Sequence, residues 1–148
     1  MTLSDRIERT ILLPVPRERV WDAVTKPEQL AHWFGVVSSM DFRVGGAIQF
    51  TRDNHLCPYP GVIEMIEPKQ RFAFRWPSYA VAHPELTFDT APSTRVEITL
   101  EEQAEGTLLT LVESGFASLP EELYRGNQDG WQACLNGLRA YLQSQEVM

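Results

Sequence analysis

The apolar positions of this chain change period three times, and each change predicts a different element. Residues 6–15, RIERTILLPV, alternate and then turn β-rich, which predicts a strand ending before Pro14. Pro16 suits the start of a helix whose apolar side is Val20, Trp21, Ala23 and Val24. That helix closes at Thr25 or Lys26, because a residue before proline avoids the helical region. Pro27-Glu28 opens a short second helix, along which Leu30, Trp33 and Phe34 fall at i, i+3 and i+4, with Gly35 as terminator. From there the period is two. Residues 36–42, 47–52, 62–67, 71–76, 95–101 and 107–113 read as strands, punctuated by Gly45-Gly46, Pro60-Gly61, Pro68-Lys69 and Glu105-Gly106. Links this short imply antiparallel neighbours. Two longer connections, 53–60 and 77–93, are expected to cross the rim of the sheet. From Pro120 the helical period returns: Trp131, Leu135, Leu138 and Leu142 form the apolar stripe, and Gln132, Asn136, Arg139 and Gln143 the polar side. A kink or interruption is expected near Gly126 or Gly130.

Strand, two short helices, six strands and one long helix predict an α+β helix-grip fold. In it a curved seven-stranded antiparallel sheet wraps a long C-terminal helix, and two short helices after the first strand close one end. Residues 1–148 are expected to form one domain, a length that gives room for a real core.

Charge and cysteine content narrow the partners. Thirteen basic against twenty acidic residues leave a net charge of −7, which argues against nucleic acid or an anionic membrane surface as a partner. No apolar run approaches the roughly 18 residues of a membrane span, and the charged start MTLSDRIERT is unlike a signal peptide. Cys57 and Cys134 are too few for a disulfide framework, so a reduced, cytoplasmic protein without a disulfide is expected. His32, His55 and His83 have no metal-ligand spacing, and neither metal nor cofactor is expected. His32 is assigned to the solvated side of the second helix. Cys57 and His55 share a loop, a pairing too short in sequence to argue for a nucleophile, and Ser114-Gly115 lacks the elbow of a serine hydrolase.

The inward register is more informative. Phe72, Phe74 and Trp76 share one face of a strand; Val96, Ile98 and Leu100 share another; Leu109 with Leu111, and Ile48 with Phe50, add to it. The helix presents Trp131, Leu135 and Leu138 to that face. Arg75 is assigned to the outer side. Glu113 follows Leu109 and Leu111 at period two and so points inward near the end of its strand, where it needs a donor. The strand can also be read as stopping there, which delivers Glu113 to solvent, and this second reading is the one preferred. Replacing Glu113 with Gln is expected to change ligand preference with little loss of fold.

Several stretches together resemble one family. They are I-x-R-x-I at Ile7–Ile11, R-V-W-x-A-x-T-x-P-E-x-L-x-x-W-F at Arg19–Phe34, V-G-G at Val44–Gly46, Gly61–Pro68 followed by Arg71-Phe72, G-T-x-L-T-L-x-x-S-G-F at Gly106–Phe116, and G-W-x-x-x-L-x-x-L at Gly130–Leu138. In this order they resemble the SRPBCC (START-like) superfamily and, within it, the family related to the C-terminal domain of the activator of the heat-shock-90 chaperone ATPase. Many members of that family carry histidine where this chain has Glu113. The resemblance implies an apolar cavity between sheet and helix that takes an apolar or amphipathic small molecule. Trp33 and Phe34 are expected at its mouth, and Phe50, Phe74, Trp76, Ile98 and Leu111 along its sheet side. Trp131 and Leu135 are expected on its helix side, with Glu113 as the polar group. The resemblance leaves two alternatives open. One is a co-chaperone-like interaction module, with a homodimer or a protein partner, although eukaryotic-type activators carry a further N-terminal domain not expected here. The other is a cavity enzyme of cyclase or hydrolase type, for which Glu113 is the one inward titratable group and no catalytic residue is assigned.

Overall fold

Strand β1 (Arg6–Leu13) buries Ile7, Ile11 and Leu13 on one face and stops at Pro14, which has no N–H to donate. The structure is a computed structural model and describes residues 6–34, 36–51, 59–76, 93–116 and 121–146. Helix α1 (Arg17–Thr25) begins after an extended Pro16, and α2 (Pro27–Leu30) after an extended Lys26, whose conformation the following proline imposes. The two helices are tied at their far end by the Trp33 indole N–H, which donates to the Ala23 carbonyl at 2.9 Å.

Strands β2 (Val36–Met40), β3 (Ala47–Thr51), β4 (Tyr59–Glu67), β5 (Arg71–Trp76), β6 (Thr94–Gln103) and β7 (Gly106–Ser114) come next along the chain. They form one antiparallel seven-stranded sheet with β1, in the order β1-β7-β6-β5-β4-β3-β2. The first strand therefore pairs with the last, Ile7 opposite Glu113. Gly106 makes that junction: a Cβ there would lie 2.1 Å from the Leu13 carbonyl oxygen, so no side chain fits between the two strands. Gly46 serves the β2–β3 turn in the same way, within 1.9 Å of the Asp41 carbonyl oxygen.

Helix α3 (Glu121–Glu146) crosses the concave face and buries Trp131, Leu135, Leu138 and Leu142. It runs unbroken through Gly126 and Gly130, contrary to the expected interruption. Each glycine costs a helix roughly 1 kcal/mol relative to alanine, and the burial of four large side chains outweighs that. The other departure is Pro60-Gly61, expected as a turn and found inside β4, opposite Gln49 and Ile48. Strand pairing there overrides the local turn chemistry. The long connections expected at 53–60 and 77–93 lie mostly outside the described residues, as do Cys57, His55 and His83.

Trp21 packs edge-on against Phe72 of the sheet, with centroids 6.4 Å apart, and so fixes α1 to β5. His32 is exposed and stacks on Tyr141 of α3 at 4.7 Å. Arg75 faces outward and joins a charged row on the convex side. Glu64 accepts from Arg75 at 3.1 Å and from Arg95 at 3.0 Å, and Arg95 reaches Glu97 at 2.6 Å. The hydrogen bond with Glu97 is the main reason the Arg95 guanidinium holds its proton above its ordinary range.

Candidate functional site

The space between α3 and the concave sheet face is an apolar slot. Its walls are Val24 and Leu30 from the short helices, Trp33 and Phe34 just after them, Met40, Ile48, Phe72, Phe74 and Ile98 from the sheet, and Trp131 from α3. The free volume within these walls is about 10 Å³, room for roughly one water molecule. Side chains, above all aromatic ones, fill the rest. The Phe34 ring stacks on Trp131 at 5.4 Å and 11° and leans on Trp76 at 5.7 Å, while Trp76 and Trp131 are 6.1 Å apart. Phe34 and Met40 are half-buried, whereas Trp33, Phe72, Phe74, Ile98 and Trp131 are buried. The wall is therefore weakest at Phe34 and Met40.

Glu113 lies behind the two indoles, with no exposed surface. The preferred expectation, that the strand ends and delivers this carboxylate to solvent, is overturned. Strand β7 continues to Ser114, Glu113 pairs across to Val96 of β6, and the buried Phe116 comes just after it. Four groups donate to the carboxylate. Oε2 accepts from Trp76 Nε1 at 2.9 Å and from the Thr94 hydroxyl at 2.5 Å. Oε1 accepts from Trp131 Nε1 at 2.8 Å and from the Asn127 amide at 3.0 Å. Two indoles and an amide nitrogen can only donate, so the surroundings are built for an acceptor at every lone pair of a carboxylate. The expectation for Glu113→Gln changes accordingly. A glutamine would turn its own NH₂ toward two of these donors, so the substitution carries a stability cost of about 1–3 kcal/mol.

Of the residues singled out from sequence, Trp33, Phe34, Phe74, Ile98 and Trp131 line the slot. Trp76 stands at its edge against Phe34 and Trp131 and holds Glu113. Leu111 and Leu135 are buried in the packed core beside the slot and do not line it. The side chain of Phe50 lies outside the described residues. Val24, Leu30 and Met40 were not anticipated as walls, nor Thr94 and Asn127 as partners of Glu113. Two signals were available. Thr94 precedes Val96 and Ile98 at period two, and Asn127 sits one helical turn before Trp131.

Chemically, a carboxylate whose acceptor positions are all taken by neutral donors acts as a base only after losing one of them. Among the described residues no second titratable group hydrogen-bonds to Glu113. Cys134 on α3 is free and half-buried, and burial pushes its thiol above the ordinary range. A larger hollow of about 610 Å³, lined by Pro14–Pro16, Glu102–Ala104 and Gly106, lies open to solvent and gathers no converging buried polar groups. No helix among the described residues is long and apolar enough to cross a membrane.

Comparison of the chain with known proteins gives three findings. The model of the family described as Activator of Hsp90 ATPase homolog 1-like protein matches residues 14–143. A search of curated proteins returns no match. Solved structures of similar fold include DynU16, a protein of the dynemicin biosynthetic locus, at 26% identity and a TM-score of 0.79, covering 97% of this chain and 49% of DynU16. The chain thus spans about half the length of that relative. CalU16 from Micromonospora echinospora is 26% identical with a TM-score of 0.66, covering 93% of this chain and 72% of its own. The Aha1 dimer from Colwellia psychrerythraea, at 15% identity and a TM-score of 0.72 over 93% of this chain and 95% of its own, shares the fold.

Proposed function

The chain belongs to the Activator of Hsp90 ATPase homolog 1-like protein family, within the SRPBCC superfamily, and from that premise we propose that residues 1–148 act as one domain that binds a small apolar or amphipathic molecule between α3 and the sheet. The observation that carries this reading is an apolar slot with a buried carboxylate behind its inner wall. A core that served stability alone would gain little from an ionisable group there, since apolar residues of similar volume are often as good or better. A binding site, by contrast, combines apolar walls with very few placed polar groups. That DynU16 comes from a biosynthetic locus is in keeping with a small-molecule role.

The slot as it stands holds about 10 Å³, so a ligand must displace side chains to enter. Phe34 and Met40, the half-buried members of the wall, are the ones that give way. Binding is then coupled to a local rearrangement at Phe34 and Met40, on either side of the start of β2. The protein would carry, sequester or sense its ligand.

The test is a titration with Nile red, a neutral apolar fluorophore, together with native mass spectrometry of the purified protein. Saturable fluorescence is expected, and Phe34→Ala, which removes the ring stacked on Trp131, is expected to strengthen it several-fold. Absence of saturable binding to both proteins, with no co-purifying molecule, would overturn the reading.

A further inference from the structure

Resting on the binding reading above, we infer that the slot selects an apolar molecule bearing a protonated amine, and that Glu113 receives the amine. The carboxylate is completely buried, and each of its four partners is neutral: two indoles, a hydroxyl and an amide. Among the described residues no lysine, arginine or histidine pairs with it. The protein's other charged contacts show that this is a choice of place. On the convex side of the same sheet every glutamate in the charged row meets an arginine. A buried anion held by dipoles alone has its hydrogen bonds satisfied and its charge unmatched. A cation supplies what is missing, and no neutral ligand does.

The route to Glu113 has the same preference. Phe34 fills the space against Trp131 and Trp76. A ligand that replaces the Phe34 ring lies against two indole faces and points its head at the carboxylate behind them. Indole faces attract cations, most strongly out of water. One of the four donors, Asn127, is half-buried and stands apart from the indole walls, so it can turn to water when an ammonium takes its place on the carboxylate. Trp76, Thr94 and Trp131 stay, leaving one acceptor position open on Oε1. A protonated amine fits that vacancy with one N–H group. A carboxylate or phosphate head would meet like charge. The net charge of −7 favours approach of cations over anions as well.

Three probes with one body and different heads test this: phenylbutylamine, phenylbutanol and phenylbutyrate, titrated calorimetrically into the whole protein at neutral pH. The amine is expected to bind about ten-fold more tightly than the alcohol, the difference between a charged and a neutral hydrogen bond, and the acid weakest. In Glu113→Gln the amine and alcohol should converge. In Asn127→Ala, which frees an acceptor position without touching the charge, the amine should bind several-fold more tightly. Alcohol or acid binding as well as the amine to the natural protein would overturn the inference and leave the apolar-binding reading intact. Failure of all three probes would overturn it too, and Nile red then decides whether the slot binds anything. Should Glu113→Gln not fold, as judged by circular dichroism, the head-group ranking and Asn127→Ala still decide. An unchanged or weakened amine affinity in Asn127→Ala counts against the inference.

Discussion

Strands β4 to β7 carry charge on both faces of one sheet and treat it in opposite ways. On the convex face Arg75, Glu64, Arg95 and Glu97 form a row of alternating sign, each partly in water. On the concave face Glu113 is sealed in and meets only neutral donors. The difference follows from solvent. In water an ion pair forms readily and is worth little, because screening weakens it and side-chain entropy opposes it. In a dry interior a charge persists only if every lone pair is met. Ion pairs therefore mark where this protein tolerates charge at little cost, and the dipole-held anion marks where it keeps charge for a reason.

Removing each kind of charge sharpens the contrast. Glu113→Leu takes the carboxylate from the buried Thr94 hydroxyl and Trp131 N–H, and is expected to cost ~2–5 kcal/mol in urea unfolding, independent of salt. Adding Thr94→Val, which deletes one of the donors that faced the carboxylate, should restore part of that loss. If Glu113→Leu alone proves neutral, the contrast between the faces collapses. Glu64→Gln on the convex face, with a side chain 32% exposed, should cost at most ~1 kcal/mol, and molar salt should erase the difference. A salt-resistant loss there would mean that the convex row is as insulated as the concave site. The smallest effect concerns reactivity. With its thiol raised by burial, Cys134 carries less thiolate at neutral pH than a free cysteine. Its alkylation by iodoacetamide, followed by peptide mass spectrometry, should be slow and should speed up as pH rises.

Much of this arrangement was legible in the chain, for reasons that separate the two kinds of information. The strands and the long helix announce themselves by period, because a side chain's face is set locally. The inward register of Glu113 was legible for that reason. Its burial was not, since its donors Trp76, Thr94, Asn127 and Trp131 come from β5, β6 and α3 and meet only in the folded sheet–helix sandwich. The same holds for the slot. Leu111 and Leu135 have the right register and are packed out of it, while Val24 and Met40 enter it from elements whose placement no periodicity gives. Gly126 and Gly130 misled in the other direction: a local preference was read where distant packing decides.

The pairing of β1 with β7 has a consequence in time. Ile7 finds its place only opposite Glu113, so the first strand waits, with Ile7, Ile11 and Leu13 uncovered, until nearly all of the sheet has been synthesised. Asn127 and Trp131 come later still, and without them half of the carboxylate's donors are missing. Closing so long a loop is slow compared with forming local hairpins. The meander β2 to β7, in which each strand pairs with its successor, can form while the first strand is still unpaired. The rate-limiting step should then be the docking of the two chain ends on each other, and stopped-flow folding of variants at Ile7 should report it. During synthesis the uncovered strand is the segment a holding chaperone would meet first.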